Sequence, residues 1–265
     1  MVAFAQLMTA YFLVKETSDG IPVFYDFRLY LIVLSTVIIA AAGYMINDYY
    51  DVKIDYVNRP KEVVVGKGIK RRVVIFLHSI FNLLGIGLGF IVSLQMGWIN
   101  FGAAFSLWLY SNRLKRNPFV GNLTVAILTG LSLYVIGLHY QKSELLILTY
   151  SIFAFFLNLI REIIKDIEDR PGDRKHGSRT LPIVIGFRKT KKLIFFVAIC
   201  FVCAILIITY IINNPLLYLY FGFLGIPFLG FLYRIYHADR KIHFSKLSTF
   251  AKIIMLIGTL SMAFL

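Results

Sequence analysis

The sequence predicts an all-α, polytopic transmembrane bundle of about nine helices, and three observations carry that expectation. Of the 265 residues, 58% are hydrophobic, and the mean hydropathy is +0.75, more apolar surface than a water-soluble domain of this size can hide in one core. The apolar residues gather into runs near 1–14, 28–50, 72–96, 97–111, 119–139, 144–165, 191–212, 215–236 and 246–265. Several approach the roughly 20 residues that a helix needs to cross a bilayer. Finally, the basic residues alternate with these runs: 24 of the 28 Lys and Arg fall at even-numbered connections.

The first run, Met1–Val14, is too short to span and lacks the basic flank of a signal peptide, so the first helix is expected to be incomplete at its N-terminus. The third and fourth runs adjoin, with Gly97 the expected break, and the fourth, around Trp98–Tyr110, is short for a crossing. The sixth is expected to stop at Pro171-Gly172, leaving Asp173 on a turn. The seventh contains both cysteines, Cys200 and Cys203, at helical spacing, which reads as apolar packing rather than a disulfide or metal site. The whole chain, 1–265, reads as one transmembrane domain with polar cap loops over about 51–72 and 166–190.

Cytoplasmic connections retain Lys and Arg while translocated ones do not. The even-numbered connections are therefore expected on the cytoplasmic face of the cell membrane. The net charge of +14 then follows from topology and attraction to anionic lipid, and implies no nucleic acid.

Eight of the 14 acidic residues lie in two stretches at that face: Asp48, Asp51 and Asp55 after the second run, and Glu162, Asp166, Glu168, Asp169 and Asp173 after the sixth. Asn47, Asp51 and Asp55 recur every four residues, with Asp48 beside them, so their oxygens project from one side of a helix. Neighbouring carboxylates repel unless a cation offsets them. Charged helix ends paired with Lys53, Arg161, Lys165, Arg170 or Arg174 would explain one such cluster; two of matching spacing on one face point to a shared metal. Mg²⁺ fits, because it takes oxygen ligands from a few carboxylates together with substrate phosphates.

The strings Asn47-Asp48-x-x-Asp51-x-x-x-Asp55 and Asp166-x-x-Asp169-x-x-x-Asp173, placed after the second and sixth of nine helices, resemble the paired aspartate motifs of the UbiA superfamily of intramembrane prenyltransferases. The stretch Arg161–Asp169, followed by Gly172-Asp173 and Thr180-Leu181-Pro182, looks most like the branch that prenylates geranylgeranylglyceryl phosphate in ether-lipid biosynthesis. The resemblance implies a UbiA-like bundle and Mg²⁺-dependent transfer of a polyprenyl group, best matched by geranylgeranyl, from its diphosphate to a lipophilic acceptor. It implies Asn47, Asp51, Asp55, Asp169 and Asp173 as metal ligands, and catalytic roles for Asp48, Asp51, Asp166 and Asp169. Substrate binding falls to Asn47, Arg59, Lys67, Tyr110, Lys115, Asn122, Arg161 and Lys165; the Tyr110 and Lys115 pairing is itself similar to the family's. Tyr49 and Tyr50 are further candidates to face a carbocation, or members of an interfacial aromatic belt.

Prenyl transfer to an aromatic acceptor of quinone biosynthesis is the alternative within that chemistry. A transporter or channel is the alternative outside it, disfavoured because the middles of the runs are almost free of charge, Lys252 excepted. A membrane alcohol phosphotransferase would carry a DGxxAR string, which is missing here. The expected partners are the diphosphate donor, the acceptor and the bilayer, with no obligate protein partner evident. His78, inside the third run, reads as an interhelical hydrogen-bonding residue.

Overall fold

Apolar runs bounded by caps and turn residues fold into ten α-helices in the computed structural model, which describes residues 1–264. α1 (Val2–Met8) continues as a π-helical turn over Thr9–Val14. Then come α2 (Phe27–Asn58), α3 (Arg71–Val92), α4 (Leu94–Asn112), α5 (Val120–Tyr140), α6 (Glu144–Lys175), the single turn α7 (Leu181–Val184), α8 (Phe187–Ile212), α9 (Pro215–His237) and α10 (Lys241–Leu260). Side chains cap several starts: Asp26 accepts from the Arg28 N–H at 3.0 Å, Ser93 from Met96 at 3.1 Å, and Asn214 from Leu216 at 3.0 Å. Each satisfies an amide that the helix itself leaves free.

Over the described residues all nine apolar runs are helical, apart from the break at Ser93. Seven helices among the described residues are long and apolar enough to cross a membrane: α2, α3, α5, α6, α8, α9 and α10 with its 3₁₀ continuation. α4, 19 residues long, carries Gln95 and Asn100 and stands outside that set. The chain is an integral, multi-pass membrane protein.

Three expectations about boundaries are corrected. The break between the third and fourth runs falls at Ser93, the cap of α4, while Gly97 lies within α4, where its missing side chain admits the Phe90 ring. α2 and α6 run on to Asn58 and Lys175, so the polar connections are shorter than 51–72 and 166–190. And α6 passes through Pro171, carrying Asp173 on the helix rather than on a turn.

A side chain from α2 explains that last correction. Asn58 Oδ1 accepts from the Gly172 N–H at 2.9 Å, and its Nδ2 donates to the Asp169 carbonyl at 3.0 Å. Polar backbone groups beside a proline are thus satisfied from a neighbouring helix, which lets the helix continue.

α6 is the axis of the bundle: 67% of its apolar stretch is buried, against 22% for α3 and for α9. On one side Leu157, Ile160 and Ile164 of α6 pack with Ile194, Phe231 and Ile254 of α8, α9 and α10. On the other, Ile147 of α6 joins Leu29 and Ile32 of α2 and Leu133 and Ile136 of α5. Large apolar side chains such as Ile199, Leu206, Leu219 and Ile226 are exposed around the outside, where lipid covers them.

Candidate active site

The stripe on α2 turns inward at its C-terminal end. Asp51 is only 4% exposed, and its carboxylate forms an ion pair with the ammonium of Lys115. Lys115 also donates to Asn47 Oδ1 at 3.3 Å, and it stands on the short 3₁₀ turn Leu114–Arg116 between α4 and α5. Burial alone would drive the Lys115 pKa down, but the charge and hydrogen bond of Asp51, with Tyr110 and Asp173, together outweigh it and hold the pKa above the usual lysine value. The group is therefore a fixed positive charge.

The acids of α6 are individually engaged. Asp166 accepts from Asn122 Nδ2 at 2.9 Å. Asp173, 3% exposed, accepts from the Thr180 hydroxyl at 3.2 Å. Glu168 and Asp169 each lie 3.4 Å from the guanidinium of Arg59, the residue that follows α2. Partial burial lowers the Arg59 pKa, and the carboxylates of Asp169 and Glu168 raise it further than burial lowers it. Asp55 lies within electrostatic reach of Asp169, and Asp51 within reach of Asp173. Both acidic arms thus occupy the same end of the bundle and face each other.

Beneath them a cavity of about 250 Å³ opens between α2, α4, α5 and α6. It follows α2 from Thr36 to Asn47, about 16 Å at the helical rise. Its aspartate end is lined by Asn47, Tyr110, Lys115, Arg161, Glu162 and Lys165. Away from that end the wall becomes mostly apolar, with Ile39, Ile99, Leu107 and Leu128, interrupted by Asn158, whose amide donates to Thr129 at 3.0 Å. An apolar chamber with a charged mouth suits an amphiphile with an anionic head.

The structure therefore gathers Asn47, Asp51, Asp55, Arg59, Lys115, Asn122, Asp166, Asp169 and Asp173 at one end, and sets Tyr110, Arg161 and Lys165 on the cavity wall beneath. Asp48 joins them at the surface, exposed but within the field of Asp51 and Lys115. Lys67 is not brought in: its ammonium donates to the Pro60 carbonyl at 2.9 Å and sits over the Tyr56 ring, because the connection after α2 folds back on itself. Tyr49 is covered by the Arg71 guanidinium, 4.4 Å above its ring, and does not line the cavity. His78 Nδ1 lies 2.9 Å from the Ala42 carbonyl, the interhelical contact expected of it.

Other polar groups enter without having been assigned a role. Asn58 extends the Asn47, Asp51, Asp55 stripe by three more residues, so the helical spacing could have found it. Glu162 is the one carboxylate on the cavity wall among the described residues. Thr180 reaches Asp173 from the far side of a turn, where no periodicity signals it.

No three Asp, Glu, His or Cys side chains among the described residues are gathered closely enough to cage a metal ion. The donor set is nonetheless hard oxygen, carboxylates and an amide, and its spread-out arrangement fits a cation that binds through one or two carboxylates and completes its shell with substrate oxygens.

The sequence model of the UbiA prenyltransferase family matches residues 6–256. The chain is 38% identical over 250 residues to a digeranylgeranylglyceryl phosphate synthase of Methanosphaera stadtmanae, covering 90% of this chain and 88% of that one. A solved structure from work on digeranylgeranylglyceryl phosphate synthase in membranes superposes with a TM-score of 0.72 at 25% identity, covering 98% of this chain and 91% of the other. A UbiA homolog from Archaeoglobus fulgidus, bound to DMAPP and Mg²⁺, shares the fold with a TM-score of 0.67 at 16% identity, covering 100% and 95%. By the extent of these matches the chain belongs to the UbiA prenyltransferase family.

Proposed function

We propose that the protein catalyses Mg²⁺-dependent transfer of a geranylgeranyl group from its diphosphate to geranylgeranylglyceryl phosphate, with the active site at the basic, cytoplasmic end of the bundle. The observation that carries this reading is the pair of acidic arms, from α2 and α6, facing each other over an apolar cavity whose mouth is lined by cations. The names of the relatives support the acceptor, and the Mg²⁺ and prenyl diphosphate bound to a neighbour of the same fold support the donor chemistry.

Asn47, Asp51 and Asp55 from α2, with Asp169 and Asp173 from α6, would hold Mg²⁺, which neutralises the diphosphate as it leaves. Lys115 and Arg59, which pair with Asp51 and Asp169, would supply fixed cations to the same diphosphate. The apolar wall shields the allylic carbocation from water. In the transfer, the bond from the prenyl carbon to the diphosphate oxygen breaks and the acceptor oxygen bonds to that carbon. The hydroxyl proton passes to Glu162, the carboxylate on the cavity wall.

Purified protein incubated with geranylgeranyl diphosphate and a panel of acceptors, including geranylgeranylglyceryl phosphate and the aromatic quinone precursors, tests the reading by product mass. Digeranylgeranylglyceryl phosphate is the expected product. An aromatic product would move the protein to the quinone chemistry, and ion flux without prenyl transfer would end the enzymatic reading.

A further inference from the structure

The cavity carries more positive charge than the donor site uses. Three cations line it, Lys115, Arg161 and Lys165, against the single carboxylate of Glu162. Lys115 is committed to Asp51 across the cavity mouth. Arg161 and Lys165 stand one helical turn apart on α6, on a different wall.

Arg161 is only partly used by its own neighbours. Its side chain is 18% exposed, and its Nη1 donates to Glu162 at 2.6 Å. Its Nε is buried with no hydrogen-bond partner. A guanidinium presents Nε–H and an Nη–H as a parallel fork, the geometry that takes two oxygens of one phosphate. Lys165 lies 3.9 Å from Glu162, too long for a hydrogen bond, so its donors are also available. Both residues line the cavity, which separates them from basic residues that merely snorkel to a headgroup.

We propose that Arg161 and Lys165 form a second anion site, which takes a phosphate monoester on the acceptor, while Lys115 and the aspartates take the donor's diphosphate. This rests on the prenyl-transfer reading above and names what selects its acceptor. Resting, the Arg161, Glu162 and Lys165 trio carries one net positive charge. That excess, together with the free fork of Arg161 and the uncommitted ammonium of Lys165, suits a phosphate monoester. A glycerol phosphate head also keeps its free hydroxyl within a few bonds of the phosphate, so an anchor at Arg161 presents that hydroxyl to the adjoining Glu162.

The test uses the full chain in detergent with geranylgeranyl diphosphate as donor. The acceptors are geranylgeranylglyceryl phosphate, the dephosphorylated alcohol and 4-hydroxybenzoate. Arg161→Gln is expected to raise the KM for the phosphorylated acceptor by at least about tenfold and to keep the donor KM within about twofold, as loss of a charge-assisted pair requires. It should also remove the preference for the phosphorylated acceptor over the alcohol. Lys165→Met should act in the same direction more weakly, and Arg161→Lys should recover part of the loss. Equal rises in donor and acceptor KM, or an intact preference in Arg161→Gln, would overturn the assignment.

A second measurement needs no turnover: glycerol 1-phosphate should raise the thermal midpoint of the wild-type protein and not that of Arg161→Gln. If the wild type proves to use another acceptor while this shift is still lost in the variant, the anion site stands and the acceptor reading falls. If the shift is the same in both, the anion site falls whatever the acceptor. A preference for 4-hydroxybenzoate that depends on Arg161 would show a carboxylate site and also overturn the assignment.

Discussion

Replacing Gly172 by alanine tests the clasp that holds the two acidic arms together. A Cβ at this position would stand 2.5 Å from Asn58 Nδ2 and 2.7 Å from its Oδ1, so Asn58 must leave. Its departure removes the hydrogen bonds to Gly172 N–H and to the Asp169 carbonyl, about 1 kcal/mol each in net terms. Crowding adds about 1–3 kcal/mol, and the better helix propensity of alanine returns about 0.5–1 kcal/mol. The single variant should therefore lose about 3 kcal/mol. In an Asn58→Ala background the obstruction is gone, and Gly172→Ala should instead stabilise by about 0.5–1 kcal/mol. The sign reversal corresponds to a coupling of about 3–4 kcal/mol between residues on different helices, far above the few tenths expected of independent sites. Unfolding of the four proteins in mixed micelles titrated with a denaturing detergent measures it. If Gly172→Ala destabilises the Asn58→Ala protein as much as the wild type, the clasp does not exist as described.

Asp51→Asn and Asp169→Asn should each remove most prenyl transfer while the protein remains folded and extractable; near-normal rates in both would reject the aspartates as metal ligands. Chelation of divalent cations should abolish turnover and leave the thermal midpoint within about 2 °C, because each acidic arm already has protein partners in Lys115, Arg59, Asn122 and Thr180; unfolding by the chelator would contradict this. The Lys115 pKa is raised in the folded state from 10.5, so its stabilising effect is complete below that value and is lost only as pH rises through the higher folded value. Above the range in which the neighbouring carboxylates change charge, the stability difference between wild type and Lys115→Met should accordingly stay flat from about pH 8 to about pH 10, and a difference that fades within that window would show a lysine that titrates early.

Nine of the ten helices, all but the single turn α7, were legible because hydropathy is a property of local runs, and the facing acids were legible because helical spacing groups them on one side. The helix ends were not, because partners distant in the chain set them. α6 survives Pro171 through Asn58, 114 residues away in sequence, and nothing near Pro171 announces that. The cations divide in the same way. Lys67 and Lys115 are both basic residues beside a polar cluster, and only the path of the chain decides that one bonds its own loop while the other crosses to Asp51. Arg161 and Glu162 were visible as charges, but their common outlook onto the cavity depends on the rotation of α6 against α5, which packing fixes.

The Lys115–Asp51 pair gives the site its own counter-ion. A lone divalent cation must displace an ammonium before it reaches Asp51, and a lone pyrophosphate meets a carboxylate that is still negative. Only the two arriving as a unit let the lysine turn from one anion to another without leaving any charge uncovered. On the proposed metal assignment, entry would then be cooperative, and the pair would screen the pocket against either component when it comes alone.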